Sequence, residues 1–147
     1  MHKKTVSASV QNFFDKYEKN INTQGSDKAT SQYGDSIMIA TPQGAYAFKK
    51  EDFIKVLPAR KQFFDATGFE SSNIVSLSEL ENDEFYFLVK AVWNFKFKKD
   101  QDGTFDIQVA STYILQKNND SLKIIFQLDH EDLMKKIKNH LKGTRPE

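Results

Sequence analysis

The chain has 147 residues, with 21 Lys+Arg against 20 Asp+Glu and a formal charge of +1. A near-neutral chain has no overall field to draw nucleic acid or an anionic membrane, and one without Cys has no disulfide framework, thiolate nucleophile or Cys-ligated zinc. Thirteen Phe, five Tyr and one Trp stand against three scattered His (His2, His130 and His140), a composition rich in core and poor in reactive groups.

Met1–Val10 carries basic residues but no apolar stretch of signal-peptide length, and nowhere do about 18 apolar residues run together, so a soluble cytoplasmic protein is expected. From Thr5 to Asn22, Val6, Val10, Phe13, Phe14, Tyr17 and Ile21 recur at helical spacing on one stripe. Thr5 or Ser7 is placed to cap this helix, and Asn22-Thr23-Gln24-Gly25-Ser26 reads as its stop. Tyr33-Gly34-Asp35 leads into a short strand, Ile37–Thr41. Pro42-Gln43-Gly44 is turn chemistry, and Ala45–Phe48 returns as a second strand. Lys50–Thr67 has helical periodicity, with Pro58 expected to kink or divide it and Gly68 to end it.

The remainder reads mostly as strand. Ile74–Leu80 is one candidate. Phe85, Phe87, Val89, Ala91, Trp93, Phe95 and Phe97 then alternate with Tyr86, Leu88, Lys90, Val92, Asn94 and Lys96, a period of two that means one long strand with an apolar face. Asp100-Gln101-Asp102-Gly103 makes a hairpin. Phe105, Ile107, Val109, Ser111, Tyr113 and Leu115 form the next inner stripe, and after Asn118-Asn119-Asp120 the last is Leu122, Ile124, Phe126 and Leu128. A final helix follows, capped by Asp129 with Asp132 three residues on, striped by Leu133, Ile137 and Leu141 and ended by Gly143.

These elements predict one α+β domain over 1–147: a strongly curved antiparallel sheet wrapped around N-terminal helices as a cone. The core spans about 5–130, and an extra C-terminal helix covers about 130–142. A curved sheet closed by helices leaves a mouth where a ligand can enter.

The helix with Val10-Gln11-Asn12-Phe13-Phe14, the segment Tyr33-Gly34-Asp35-Ser36-Ile37-Met38-Ile39, the turn Thr41-Pro42-Gln43-Gly44, the helix start Lys50-Glu51-Asp52-Phe53-Ile54 and the three long strands point one way. From about Val6 to His130 the chain resembles the nuclear transport factor 2-like superfamily, which shares the cystatin-like α+β fold and includes SnoaL-like polyketide cyclases and ketosteroid isomerases. The resemblance implies a cone that serves as enzyme, binding cup or dimerisation module. It also implies a steroid isomerase's tyrosine at Phe13, its base at Thr41 and a proton-donating acid at Ser111. All three positions depart from that pattern, and a threonine hydroxyl cannot serve as a carboxylate base.

Strand parity from Phe85 to Leu128 puts Trp93, Ser111 and Tyr113 on the inner face but no Asp, Glu, His, Lys or Arg, unless a one-residue slip brings Lys90 and Asp106 inward. Proton-handling groups are then left to the helices and rim, where Asp35, His130, Tyr17 and Arg60 are candidates. Their plainer roles are a turn residue for Asp35, a helix-start residue for His130 and a core wall for Tyr17. Phe14, Tyr17, Ile39, Thr41, Trp93, Phe95, Ser111 and Tyr113 are the expected pocket lining for a small, mostly apolar ligand; the alternative is that they fill the cone. Tyr86, Leu88, Val92, Thr112, Ile114 and Ile125 make the outer face partly apolar, which predicts a homodimer unless the C-terminal helix covers it.

Lys96, Lys98 and Lys99 beside the hairpin, and Lys135, Lys136, Lys138 and Lys142 on the last helix, read as solvated faces rather than a nucleic-acid site. No phosphate loop or metal-ligand spacing appears, and no cofactor is expected. Three functions follow in order: a non-catalytic domain that binds an apolar ligand and dimerises; a SnoaL-like isomerase, cyclase or dehydratase using Asp35 or His130; and an interaction module with a filled cone.

Overall fold

The computed structural model describes residues 6–22, 30–99 and 103–143. Helix α1 (Ala8–Asn22) buries Val10, Phe13, Phe14 and Tyr17, the predicted stripe. Ser7 does not cap it through its side chain. Its hydroxyl and backbone N–H both donate to Glu79 Oε1, at 2.8 and 3.1 Å. Strands β1 (Tyr33–Thr41) and β2 (Gly44–Lys49) form a hairpin about Pro42–Gln43, followed by helix α2 (Lys50–Ala66). Pro58 does not divide α2. It lies on the exposed side, where water can satisfy the carbonyl that its ring leaves unbonded. Gly68 follows the helix at φ +86°, and a Cβ there would stand 2.6 Å from the Lys98 carbonyl oxygen.

Four strands and a helix complete the chain: β3 (Phe69–Asn82), β4 (Tyr86–Lys98), β5 (Thr104–Asn118), β6 (Ser121–Asp129) and α3 (Leu133–Gly143). The sheet order is β2-β1-β6-β5-β4-β3, antiparallel except for the parallel β1–β6 pair. The predicted cone is this sheet curved around the helices. The hairpin residues Asp100–Asp102 and the loop Thr23–Ser26 lie outside the described residues.

Strand β3 is one margin of the sheet, and α1 covers its Ser72–Ile74 stretch with side chains. Asn22 accepts from Ser72 N–H at 2.8 Å and donates to Ser72 C=O at 2.5 Å, while Glu18 accepts from Ile74 N–H. Two side chains thus take the place of a neighbouring strand over Ser72–Ile74 alone. Helix α3 packs on the concave side: Ile137 is fully buried, His140 stacks on Phe105 at 4.1 Å and Lys138 lies over Phe63. Its cap is Asp132, whose Oδ1 accepts from Lys135 N–H at 3.0 Å, and not Asp129.

Asp129 is elsewhere because of one inserted residue. On β5, Leu115 pairs with Ile124 but Ile114 pairs with Phe126, so Ile125 bulges. A bulge reverses side-chain parity beyond it. Ile124 therefore points inward as predicted, but Phe126 and Leu128 turn outward. Gln127 and Asp129 turn inward, opposite Tyr113 and Ser111. Gly34 lets β1 pass this point closely, since a Cβ there would meet Ile125 Cγ2 at 3.2 Å.

Candidate functional site

The inner stripes of β4 and β5 are buried from Val89 to Phe97 and from Phe105 to Leu115. Lys90 and Asp106 stay exposed on the other face, so the slip that would bring them inward does not occur. Phe85 departs from the stripe: it precedes β4 and is 56% exposed. There the Asp83 carboxylate accepts from the N–H groups of Phe85 and Tyr86, both at 2.8 Å, and turns the chain.

Tyr17 packs edge-on against Trp93 and Tyr113, with ring centroids 5.9 and 6.2 Å away, and Phe14 lies 5.1 Å from Tyr113. Trp93 Nε1 donates to the Tyr113 hydroxyl at 3.0 Å. Phe14, Tyr17, Trp93, Phe95 and Tyr113 are all buried. Ring packs against ring here, as in a filled core.

A polar chain threads this cluster. Tyr33 O–H donates to Gln127 Oε1 at 2.7 Å, so the Tyr17 hydroxyl, 2.6 Å from that of Tyr33, is the donor of its pair. Gln127 Nε2 donates to Asp129 Oδ1 at 3.0 Å, and Ser111 O–H donates to the same oxygen at 2.7 Å. Burial pushes the Tyr17, Tyr33 and Tyr113 phenols well above their ordinary range, and neighbouring phenols push the same way. They remain proton donors throughout the neutral range. The carboxylate missing from the predicted inner face is thus Asp129, half-buried at the end of the chain. The sequence analysis read Tyr33 as a strand lead-in and Asp129 as a helix cap and missed Gln127, because the apolar run Ile124-Ile125-Phe126 does not show which residue bulges.

The predicted proton handlers lie apart from this cluster, except Tyr17. Asp35 is exposed on β1. His130 projects from the outer face, its Nε2 2.6 Å from Thr112 Oγ1 and its N–H donating to Ala110 C=O. Arg60 is exposed, with its guanidinium 4.9 Å from the Phe64 ring centroid. Thr41 is occupied by its turn, where its hydroxyl accepts from Gln43 N–H at 3.2 Å. Ile39 is half-buried opposite Gln127. Among the described residues no group of three or more His, Cys, Asp or Glu is arranged to hold a metal ion, and no helix is long and apolar enough to cross a membrane.

Two open depressions flank the cone. One, of about 720 Å³, lies where the outer side of β1 meets the bulge and is lined by Asp35, Met38, Lys49, Gln116 and Ile125 among others. The other, of about 390 Å³, lies between the β1–β2 turn and α3. Neither is lined by Trp93 or Tyr113.

The outer face carries the second constellation. Cross-strand pairing aligns Met38, Phe126, Ile114 and Leu88 in one row over four strands, with Ala40, Leu128 and Thr112 in the row beside it. Of the predicted face, Tyr86 is 42% exposed; Leu88, Val92, Ile114 and Ile125 are half-buried, and Thr112 is buried. The bulge adds Phe126 and Leu128 to that set. Helix α3 does not cover it, because it packs on the concave side.

Comparison with solved structures places this architecture. A protein of unknown function from Shewanella oneidensis, described as nuclear transport factor 2-like, superposes with a TM-score of 0.58 at 15% identity, over 84% of this chain and 97% of that one. The chain has the nuclear transport factor 2-like fold. The β subunit of benzoate 1,2-dioxygenase from Burkholderia mallei shares the fold with a TM-score of 0.68 at 14% identity, over 89% of this chain and 98% of that one. A protein from Xanthomonas campestris assigned as a calcium/calmodulin-dependent protein kinase II association domain gives 0.64 at 16%, over 90% and 98%. No family model matches the sequence, and no curated protein does either. At these identities the likeness carries the fold and not the activity.

Proposed function

We propose that this chain is an assembly module in which two copies meet through the outer faces of their sheets. The observation that carries the reading is the apolar band Met38–Phe126–Ile114–Leu88 with Ala40, Leu128 and Thr112 beside it, a contiguous surface of the kind that meets a partner. A single self-complementary face suits a two-fold pair. The packed aromatic cone supports the same reading, because it supplies a rigid body to present the sheet and leaves the ring cluster little room for an apolar ligand. The names of two fold neighbours, a β subunit and an association domain, agree with a role in assembly.

Size-exclusion chromatography with light scattering tests this. At micromolar concentration the chain should run at twice its 17.0 kDa mass, and Ile114→Asp should return it to the monomer with its circular dichroism unchanged. A monomeric wild type would overturn the proposal. A second reading rests on Asp129, a carboxylate inside the cone that an acid–base enzyme would need. It would gain support if Asp129→Asn abolished a measured isomerase or dehydratase turnover while leaving the fold intact.

A further inference from the structure

The larger of the two depressions, of about 720 Å³, opens where the sheet is interrupted. Strands β1 and β6 pair at Tyr33–Ile124 and resume at Met38–Phe126, so Gly34, Asp35, Ser36 and Ile37 stand against Ile125 alone, and none of them has a partner across the gap. Strand β2 carries the wall on, with Lys49 opposite Ser36 and Ala47 opposite Met38. Met38 and Ile125 give the depression an apolar patch, and Gln116 from β5 lines its far side. Asp35 and Lys49 are exposed on the lining, one position out of register with each other, and neither side chain has a hydrogen-bond or ion-pair partner among the described residues. We propose that this break in the sheet binds a free α-amino acid with an apolar side chain: its ammonium meets Asp35, its carboxylate meets Lys49, and its side chain lies on Met38 and Ile125. Such a site needs neither the association of two chains nor Asp129.

The pair of charges selects a zwitterion. An anion drawn to Lys49 brings a like charge beside Asp35, and a cation drawn to Asp35 does the same beside Lys49. A peptide terminus carries one of the two charges, whereas a free amino acid carries both on one carbon. Lys123, opposite Gln116, does not compete for the carboxylate, because its ammonium donates to Ser31 C=O at 2.6 Å. The volume falls in the range of small-molecule sites, and the part that one amino acid leaves empty stays open to water. Both charges keep contact with that water. Two exposed ion pairs and part of one apolar side chain then set a dissociation constant on the order of 10 mM.

In an NMR titration of the full chain with leucine to about 100 mM, an order above that constant, the amides of Gly34, Asp35 and Ile125 should shift saturably while those of the cone stay still. N-acetyl-leucine lacks the ammonium and leucinamide the carboxylate, and at one ionic strength each should bind about two- to fivefold more weakly than leucine. Two variants assign the contacts. Asp35→Asn should erase the preference for leucine over N-acetyl-leucine and keep that over leucinamide, and Lys49→Met should do the reverse, both with unchanged circular dichroism. A variant that keeps both preferences overturns the inference, as do shifts confined to other residues. Because Met38 also belongs to the outer-face band, the titration is repeated on Ile114→Asp. Shifts in that variant alone mean that pairing covers the site, and they support it. Shifts in neither chain overturn the inference whatever the oligomeric state by light scattering. Saturable binding by a chain that is monomeric throughout supports the site and overturns only the association.

Discussion

The hydrogen-bond chain inside the cone can be taken apart by two changes that each delete one hydroxyl, and its direction predicts that the two are unequal. Tyr33 both accepts from Tyr17 and donates to Gln127. Tyr33→Phe therefore strands two groups. The Tyr17 hydroxyl, on a residue only 5% exposed, loses its acceptor at a cost of about 1–3 kcal/mol. Gln127 is half-buried and keeps its bond to Asp129, so its oxygen adds about 0.5–1 kcal/mol. The sum is about 1.5–4 kcal/mol, or about 5–12 °C in melting temperature for a chain of this size. Tyr17→Phe removes only a donor, leaves Tyr33 bonded to Gln127, and should cost about 1 kcal/mol. The double variant has no stranded phenol on α1, so it should be no less stable than Tyr33→Phe alone, with a coupling of about 1–2 kcal/mol between the sites. Urea unfolding at one fixed protein concentration, followed by the fluorescence of the single tryptophan Trp93, measures all four corners of the cycle. Additive losses, or a Tyr17→Phe loss equal to that of Tyr33→Phe, would refute the direction assigned to the chain.

Three further outcomes are expected. Because burial raises the phenols of Tyr17, Tyr33 and Tyr113, their contribution to stability is fully present below the unfolded-state value near 10 and is lost as pH rises above it. Stability should then fall by up to about 4 kcal/mol per pH unit, with three of the five tyrosines ionising together with unfolding when followed at 295 nm. Gly68→Ala forces a side chain into the left-handed region and against the Lys98 carbonyl, and should lower stability by at least about 2 kcal/mol in a thermal melt. Ile137→Ala empties the one fully buried site among the described side chains of α3 and should cost about 2–4 kcal/mol locally. Hydrogen exchange should show α3 losing protection while β4 and β5 keep theirs; unchanged exchange in α3 would count against its anchoring by Ile137.

The parts of this molecule that were legible in the sequence are those where one local rule held along a whole element. Strands β4 and β5 keep strict alternation from Val89 to Phe97 and from Phe105 to Leu115, so their inner residues, including Trp93, Ser111 and Tyr113, could be read directly. On β6 alternation is just as regular on either side of Ile125, but nothing in Ile124-Ile125-Phe126 marks the residue left out of the pairing. A bulge is a fact about two strands, and periodicity within one cannot reveal it. That single omission hid the carboxylate in the cone, two of the outer-face side chains and the outward aim of His130. The roles of Glu18 and Asn22 were hidden for a similar reason. Glu18 reads as a polar position on the helix and Asn22 as part of its stop, and only the distant margin of β3 shows what they bond.

That partly covered margin has a consequence for how this protein can go wrong. Joining sheets edge to edge into an endless fibre requires two open margins on every chain, one to receive and one to offer. With α1 bonded to β3 at Ser72 and Ile74, an incoming strand cannot pair along that stretch without displacing the helix. The side chains of Glu18 and Asn22 therefore shorten the length over which edge-wise assembly can run on this side, for as long as α1 stays docked.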